Sequence, residues 1–197
     1  MYSIYNVVTI GSLFLILYVL VDFIRNKTNN VIRRAIFYSF IFYLLFVVQV
    51  TTGGIIFPPQ YDPALVLMQL IPFYFIGDLI NIYRNNGFDW FFWNSVKLSF
   101  YNIIMFTPLG VYLPLLFKLK RISKSILAVF LVSLIIESSQ LILGYLGFIR
   151  GREFDIDDLI LNTLGGAIGY LFIALSELNG RNDKELKLPN SSSINPK

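Results

Sequence analysis

Four apolar runs, roughly residues 4–24, 35–52, 99–117 and 125–146, limit what this chain can fold into more than any other feature. Each is close to the ~20 residues that an α-helix needs to cross the hydrocarbon of a bilayer. A soluble domain has nowhere to bury four such segments. Of the 197 residues 56% are hydrophobic and only 14% charged, an excess that no core of this size can hide. The bilayer is therefore the solvent, and the fold class is all-α, a polytopic integral membrane protein. A fifth run, residues 159–176, follows a carboxylate-rich loop and holds polar and small residues in its first half. It carries no charge and is long enough to span. The expectation is about five transmembrane helices.

The charges between the runs set an orientation. Arg25, Lys27, Arg33 and Arg34 stand after the first run, and Lys118, Lys120, Arg121 and Lys124 after the third, with no acid among either group. Both loops are expected in the cytoplasm. Residues 53–98 hold Arg84 and Lys97 against Asp62, Asp78 and Asp89, and residues 147–158 hold Arg150 and Arg152 against four carboxylates. These two stretches are expected outside, as is the N-terminus, and the C-terminus in the cytoplasm of a multi-pass cell-membrane protein. Residues 64–82 form a further apolar run. A sixth full span there would carry the Lys118–Lys124 cluster outside, so an interfacial or re-entrant helix is expected, kinked at Pro72 and held at the headgroups by Asp78 and Arg84. The start lacks the basic residues and the Ala-x-Ala cleavage site of a signal peptide, so its apolar run is expected to stay as a helix. The chain thus divides into two N-terminal spans (1–60), a membrane domain (61–177) and a polar tail (178–197), which is expected to be disordered and cytoplasmic.

Composition also removes chemistry. There is no Cys and no His, so thiolate nucleophiles, disulfides, imidazole bases and the commonest metal ligands are all excluded. Any reaction must use carboxylates, amides, hydroxyls or cations. The net charge of +4 lies in short clusters between apolar runs rather than on one basic face, so the partner it implies is the lipid bilayer and not nucleic acid. No cofactor is expected.

The polar residues inside the apolar runs require an explanation. Glu137 lies about eight residues, roughly 12 Å, below the outer end of the fourth run. An ionised side chain near the bilayer centre costs about 2.5–3.5 kcal/mol, so Glu137 should face the bundle, paired or protonated. Ser133, Glu137, Gln140 and Gly144 recur at helical spacing and form one stripe. The stripe is either an interhelical hydrogen-bonded lock or part of a ligand-contacting or proton-handling site. Asp155, Asp157 and Asp158, with Arg152 beside them, open the fifth run, followed on one face by Asn162 and the packing glycines Gly165, Gly166 and Gly169. The glycines admit a neighbouring backbone, from the third or the fourth span. An aspartate here serves as a helix cap, accepting from free N–H groups at the positive end of the helix dipole. Three carboxylates exceed that need, so either Arg152 neutralises the group as an ion pair or the group binds a cation or a cationic ligand. Asp-x-Asp-Asp lacks the length and the glycine of a calcium loop, and no metal site is assigned. Asn102 opens the third run at the level of Gln140 and Asn162, and Pro108 and Pro114 bend that run. The aromatic stretch Phe88, Trp90, Phe91, Phe92 and Trp93 suits the outer membrane-water interface.

Three blocks carry a family resemblance: N-I-I-M-F-T-P-L-G-V-Y-L-P at 102–114, I-E-S-S-Q at 136–140, and R-E-F-D-I-D-D-L-I-L-N-T-L-G-G-A-I-G-Y at 152–170, with L-I-P-F at 70–73 ahead of them. In spacing and order they resemble the VanZ-like family of Gram-positive membrane proteins, over about residues 70–176. The resemblance implies a role in resistance to the glycopeptide teicoplanin, through the way this lipid-tailed antibiotic meets the cell surface. It points by residue to Asn102, Glu137, Gln140, Arg152, Asp155, Asp157, Asp158 and Asn162. Ser138 and Ser139 depart from the apolar pair expected between Glu137 and Gln140.

Three functions fit these residues. The first is a protein whose outward-facing polar pocket engages an amphiphile, either a lipid-linked cell-wall component or a lipoglycopeptide. The second is an intramembrane enzyme using carboxylates as acid and base, although no nucleophile motif or phosphate loop accompanies them. The third is a small transporter or flippase coupled through Glu137, although no internal repeat is present. Whether the chain dimerises is not written in the sequence.

Overall fold

The computed structural model describes residues 3–60, 68–150 and 154–186, with side chains as far as residue 177. Among them are six helices: α1 (Val7–Asn26), α2 (Val31–Thr52), α3 (Tyr74–Asn86), α4 (Trp90–Phe117), α5 (Ile122–Tyr145) and α6 (Ile156–Leu186). All but α3 are long and apolar enough to cross a membrane. At 13 residues α3 covers about 20 Å, too little for a bilayer core of ~30 Å.

The chain folds back at two ends with different chemistry. At one end the strands β1 (Ser3–Tyr5) and β2 (Ile55–Phe57) pair antiparallel, joining the start of α1 to the end of α2. The same end receives the turn after α5, because Ile56 N–H and Gln60 N–H donate to Phe148 O and Gly147 O, each at 2.8 Å. The bridges β3 (Met68–Gln69) and β4 (Phe154–Asp155) pair in parallel and tie the approach to α3 to the start of α6. All four strands thus lie at this carboxylate end. The turns after α1 and α4 lie at the opposite, basic end, where Asn29 and Phe117 line one cleft.

Capping residues explain where several helices begin. Asn6 accepts from Thr9 N–H at 3.0 Å, and Gln49 of α2 accepts from Val7 N–H at 2.6 Å, so the start of α1 is capped partly by its neighbour. Asp89 accepts from Phe92 N–H at 2.9 Å and starts α4 at Trp90, nine residues before the apolar run at 99. The aromatic stretch consequently forms the first turn of α4, with Phe88, Trp90, Phe91 and Trp93 exposed. Pro72 lies ahead of α3, in the turn that leads into it, and does not kink it as expected. With no N–H of its own, proline fits before a helix better than inside one. Helix α4 does continue through Pro108 and Pro114, and Tyr43 of α2 donates to Met105 O at 2.8 Å beside the first proline. Helix α6 runs on to Leu186, into the polar segment expected to be disordered, while residues 187–197 lie outside the described residues.

The apolar core lies among α2, α4 and α5, where Phe106 and Val129 are fully buried beside Phe40, Leu109 and Leu113. Helix α1 buries nothing and leaves Leu13, Phe14, Leu17, Leu20 and Ile24 exposed, as suits a helix solvated by lipid tails. Helix α6 makes the closest backbone contacts. A Cβ added to Gly165 would lie 2.1 Å from Ile103 O, and one added to Gly169 would lie 1.9 Å from Thr107 O. Only glycine permits this approach, and α4 is the helix that uses it. Gly166 faces the other way and lies against Val129 of α5.

Candidate functional site

The stripe on α5 is a buried one. Ser133, Glu137 and Gln140 are enclosed, and Ser125 extends the line toward the basic end, while Gly144 is only half-buried. Ser139 turns to the exposed side and donates to Ile135 O of its own helix at 2.6 Å, so it does not widen the polar face.

Glu137, 3% exposed, accepts from Asp155 N–H through Oε2 at 3.3 Å. Asp155 immediately precedes α6. Helix α6 therefore begins about two turns below the end of α5, since Glu137 stands eight residues before Tyr145. This offset answers the cost of a carboxylate at that depth: a helix N-terminus, with its free N–H groups and positive dipole end, is sunk to meet it. Asp155 Oδ1 in turn accepts from Asp157 N–H at 2.8 Å, capping the helix it precedes.

Asp157 serves a different helix. Its carboxylate, 2% exposed, accepts from Phe73 N–H at 2.5 Å and Phe75 N–H at 2.9 Å, and lies 3.5 Å from Gln69 Nε2. These are free donors at the start of α3, where Phe73 has positive φ and no side-chain cap of its own. Two aspartates therefore cap two helices. The capping role extends further than the sequence indicates, because the second helix is remote in the chain.

Asp158 accepts from Asn102 Nδ2 in a short hydrogen bond, linking α6 to α4. Asn162 is fully buried and donates to Ser133 Oγ at 2.9 Å, linking α6 to α5. Gln140 donates to Thr51 O at 2.6 Å, linking α5 to the end of α2. Two buried acceptors, Gln140 Oε1 and Asn162 Oδ1, have no hydrogen-bond partner among the described residues. Buried acceptors are normally satisfied, so this compartment has unused capacity for a donor. Among the described residues no three carboxylates are placed to hold a metal ion together. Arg152 lies outside the described residues. The remaining predicted site residues thus lie at one end of three helices, α4, α5 and α6, held by several hydrogen-bond partners rather than in a single open cluster.

One neighbouring feature was not anticipated. Ile76, Leu79, Ile80 and Tyr83 on one face of α3, with Phe88 and Phe92, line an apolar cleft of about 290 Å³. It opens one residue beyond the backbone amides held by Asp157. The signal lay in the i, i+3, i+4, i+7 spacing of those four residues.

No curated protein and no solved structure matches the chain. The sequence model of the VanZ/LLP1 family matches residues 36–177, a stretch that begins within α2 and takes in every polar residue described above. With well over half its length matched, and with the amide, carboxylate and glycine blocks at the packed end of its helices, the chain belongs to the VanZ/LLP1 family.

Proposed function

We propose that this membrane protein binds an amphiphile at the carboxylate end of its bundle, with that end facing outside. The polar head would lie against Glu137, Asp158 and the amides of Gln140 and Asn162, and the apolar tail along α3. The observation that carries this reading is the link Asp157 makes between two unlike features. From the start of α6, whose Asn162 carries one of the two unpartnered acceptors, Asp157 holds the start of α3, whose face lines the apolar cleft. The unused hydrogen-bonding capacity is that of acceptors, so the head should offer N–H or O–H groups, or an ammonium. A lipid-linked cell-wall component or a lipoglycopeptide of the teicoplanin kind has this form, in keeping with the resemblance to the VanZ-like proteins of Gram-positive envelopes.

The test is a deletion strain complemented with wild type, Glu137→Gln or Asp158→Asn, challenged with teicoplanin and with vancomycin, which lacks the lipid tail. Wild type should restore teicoplanin protection without altering the vancomycin response, and both variants should lose that protection at unchanged membrane abundance. Full protection by both variants would remove the polar end from the reading, and equal responses to the two antibiotics would remove the tail.

A further inference from the structure

The basic end carries a second polar assembly, whose charged pair stands ahead of the stretch that the family shares. Asp22, in the last turn and a half of α1, accepts from three side chains: Asn26 Nδ2 at 2.8 Å, Arg34 Nε at 2.6 Å, and the Tyr38 hydroxyl in a short hydrogen bond. Arg34 Nη2 adds an ion pair at 2.5 Å. Arg34 Nη1 donates to Lys27 O at 3.0 Å and Asn29 O at 3.2 Å, closing the turn between the two helices. Asp22 and Arg34 therefore neutralise each other, and both are committed to holding the α1–α2 hairpin.

Beside this pair is a cleft of about 490 Å³ walled by α1, α2 and the end of α4. Its charged lining is Asp22, Arg34 and Arg33, with Phe37 and Phe117 among its apolar walls. Since the first two cancel, Arg33 gives the cleft a net positive charge. Arg33 is exposed and makes no hydrogen bond or ion pair with any described residue. It also lines a second cleft of about 600 Å³, which shares Asn30 and Leu116 with the first. One guanidinium thus stands between two adjoining spaces, at the end of the bundle where Lys27 and Lys118 also lie.

We propose that these clefts form a binding site for an anionic phospholipid, with its phosphate on the Arg33 guanidinium and its chains along the exposed apolar faces of α1 and α2. Guanidinium matches a phosphate through paired N–H donors. The apolar walls and the lipid-facing surface of α1 favour a phosphate that carries hydrocarbon over a free ion. The Asp22–Arg34–Tyr38 assembly keeps the helix ends apart at the width of the site, and so acts by positioning.

The full-length protein in detergent is titrated with dioleoyl phosphatidylglycerol and dioleoyl phosphatidylcholine, with lipid adducts counted by native mass spectrometry. Wild type should bind phosphatidylglycerol in preference to phosphatidylcholine. Arg33→Gln should weaken phosphatidylglycerol about fivefold, as removal of one cation near a headgroup does. Arg33→Lys, which keeps the charge but loses the paired donors, should fall between wild type and Arg33→Gln, and Lys124→Gln, at another position of the basic end, should stay close to wild type. Because Arg33 is exposed and makes no hydrogen bond or ion pair with a described residue, its variants should keep the wild-type melting temperature. Equal affinity for the two lipids, unchanged affinity in Arg33→Gln, or displacement of the lipid by inorganic phosphate would each overturn the proposal.

Discussion

Asp157 shows how one residue can decide where a neighbouring element lies. Its carboxylate takes up two backbone N–H groups at the start of α3, a helix more than eighty residues away in the chain. Leaving such buried donors unmet costs about 1–3 kcal/mol. Asp157→Ala should therefore release α3 locally: hydrogen-deuterium exchange at residues 73–76 should accelerate while exchange in α5 stays as in wild type. Unchanged protection at residues 73–76 would show that α3 is held by its apolar face instead. Glu137 makes the complementary point, because its depth is tolerable only where a helix start meets it. Glu137→Gln keeps an acceptor for Asp155 N–H, which is why that variant separates binding from folding in the resistance test.

At the scale of the elements, α4 and α6 meet backbone to backbone at the glycines, beside the side-chain hydrogen bond from Asn102 to Asp158. Carbonyls of Ile103 and Thr107 face the glycines at 165 and 169, where Cα–H···O contacts are worth perhaps 0.5–1 kcal/mol each. A side chain there meets a carbonyl that cannot swing aside. Gly165→Val and Gly169→Val should each force the helices apart and lower the melting temperature in detergent by several degrees or more. Gly77→Ala in α3 is the counterpart, since a Cβ there meets nothing within 4 Å. It should be neutral, or stabilise α3 by up to about 1 kcal/mol through helix propensity. Equal losses from substitution at Gly77 and Gly169 would contradict the close α4–α6 contact.

At the scale of the whole molecule the property to test is which end faces which side of the membrane. The basic loops predict that the turns after α1 and α4 are cytoplasmic and that the carboxylate end is outside. The absence of cysteine makes a direct test simple. Single cysteines at Asn86 and at Lys120 are treated with a membrane-impermeant maleimide in intact cells. The first should label at once and the second only after permeabilisation. The opposite pattern would invert the orientation and place the proposed amphiphile site inside.

Much of this fold can be read from periodicity and length. The five spans follow from apolar runs of bilayer length, and the glycine spacing in α6 announces a close helix contact, because both are properties of a chain and its solvent. The same reasoning finds Glu137, Gln140, Asn102 and Asn162, since a polar residue in an apolar run stands out wherever it is. Asp22 stands in such a run too, but nothing local marks Arg34, in the loop that follows, or Tyr38, in the second run, as its partners. Their relation exists only once the α1–α2 hairpin closes.

Sequence by itself therefore determined that the chain is a bundle of membrane helices and which polar residues that bundle must accommodate, because burial in lipid penalises them regardless of neighbours. It also implied that one aspartate would act as a cap. Which donor each carboxylate meets was decided only in the tertiary structure. The depth of α6 against α5 brings a helix start to Glu137, the approach to α3 brings free amides to Asp157, and the hairpin brings Arg34 to Asp22. These pairings are set by packing between segments distant in the chain, and no local pattern encodes that distance.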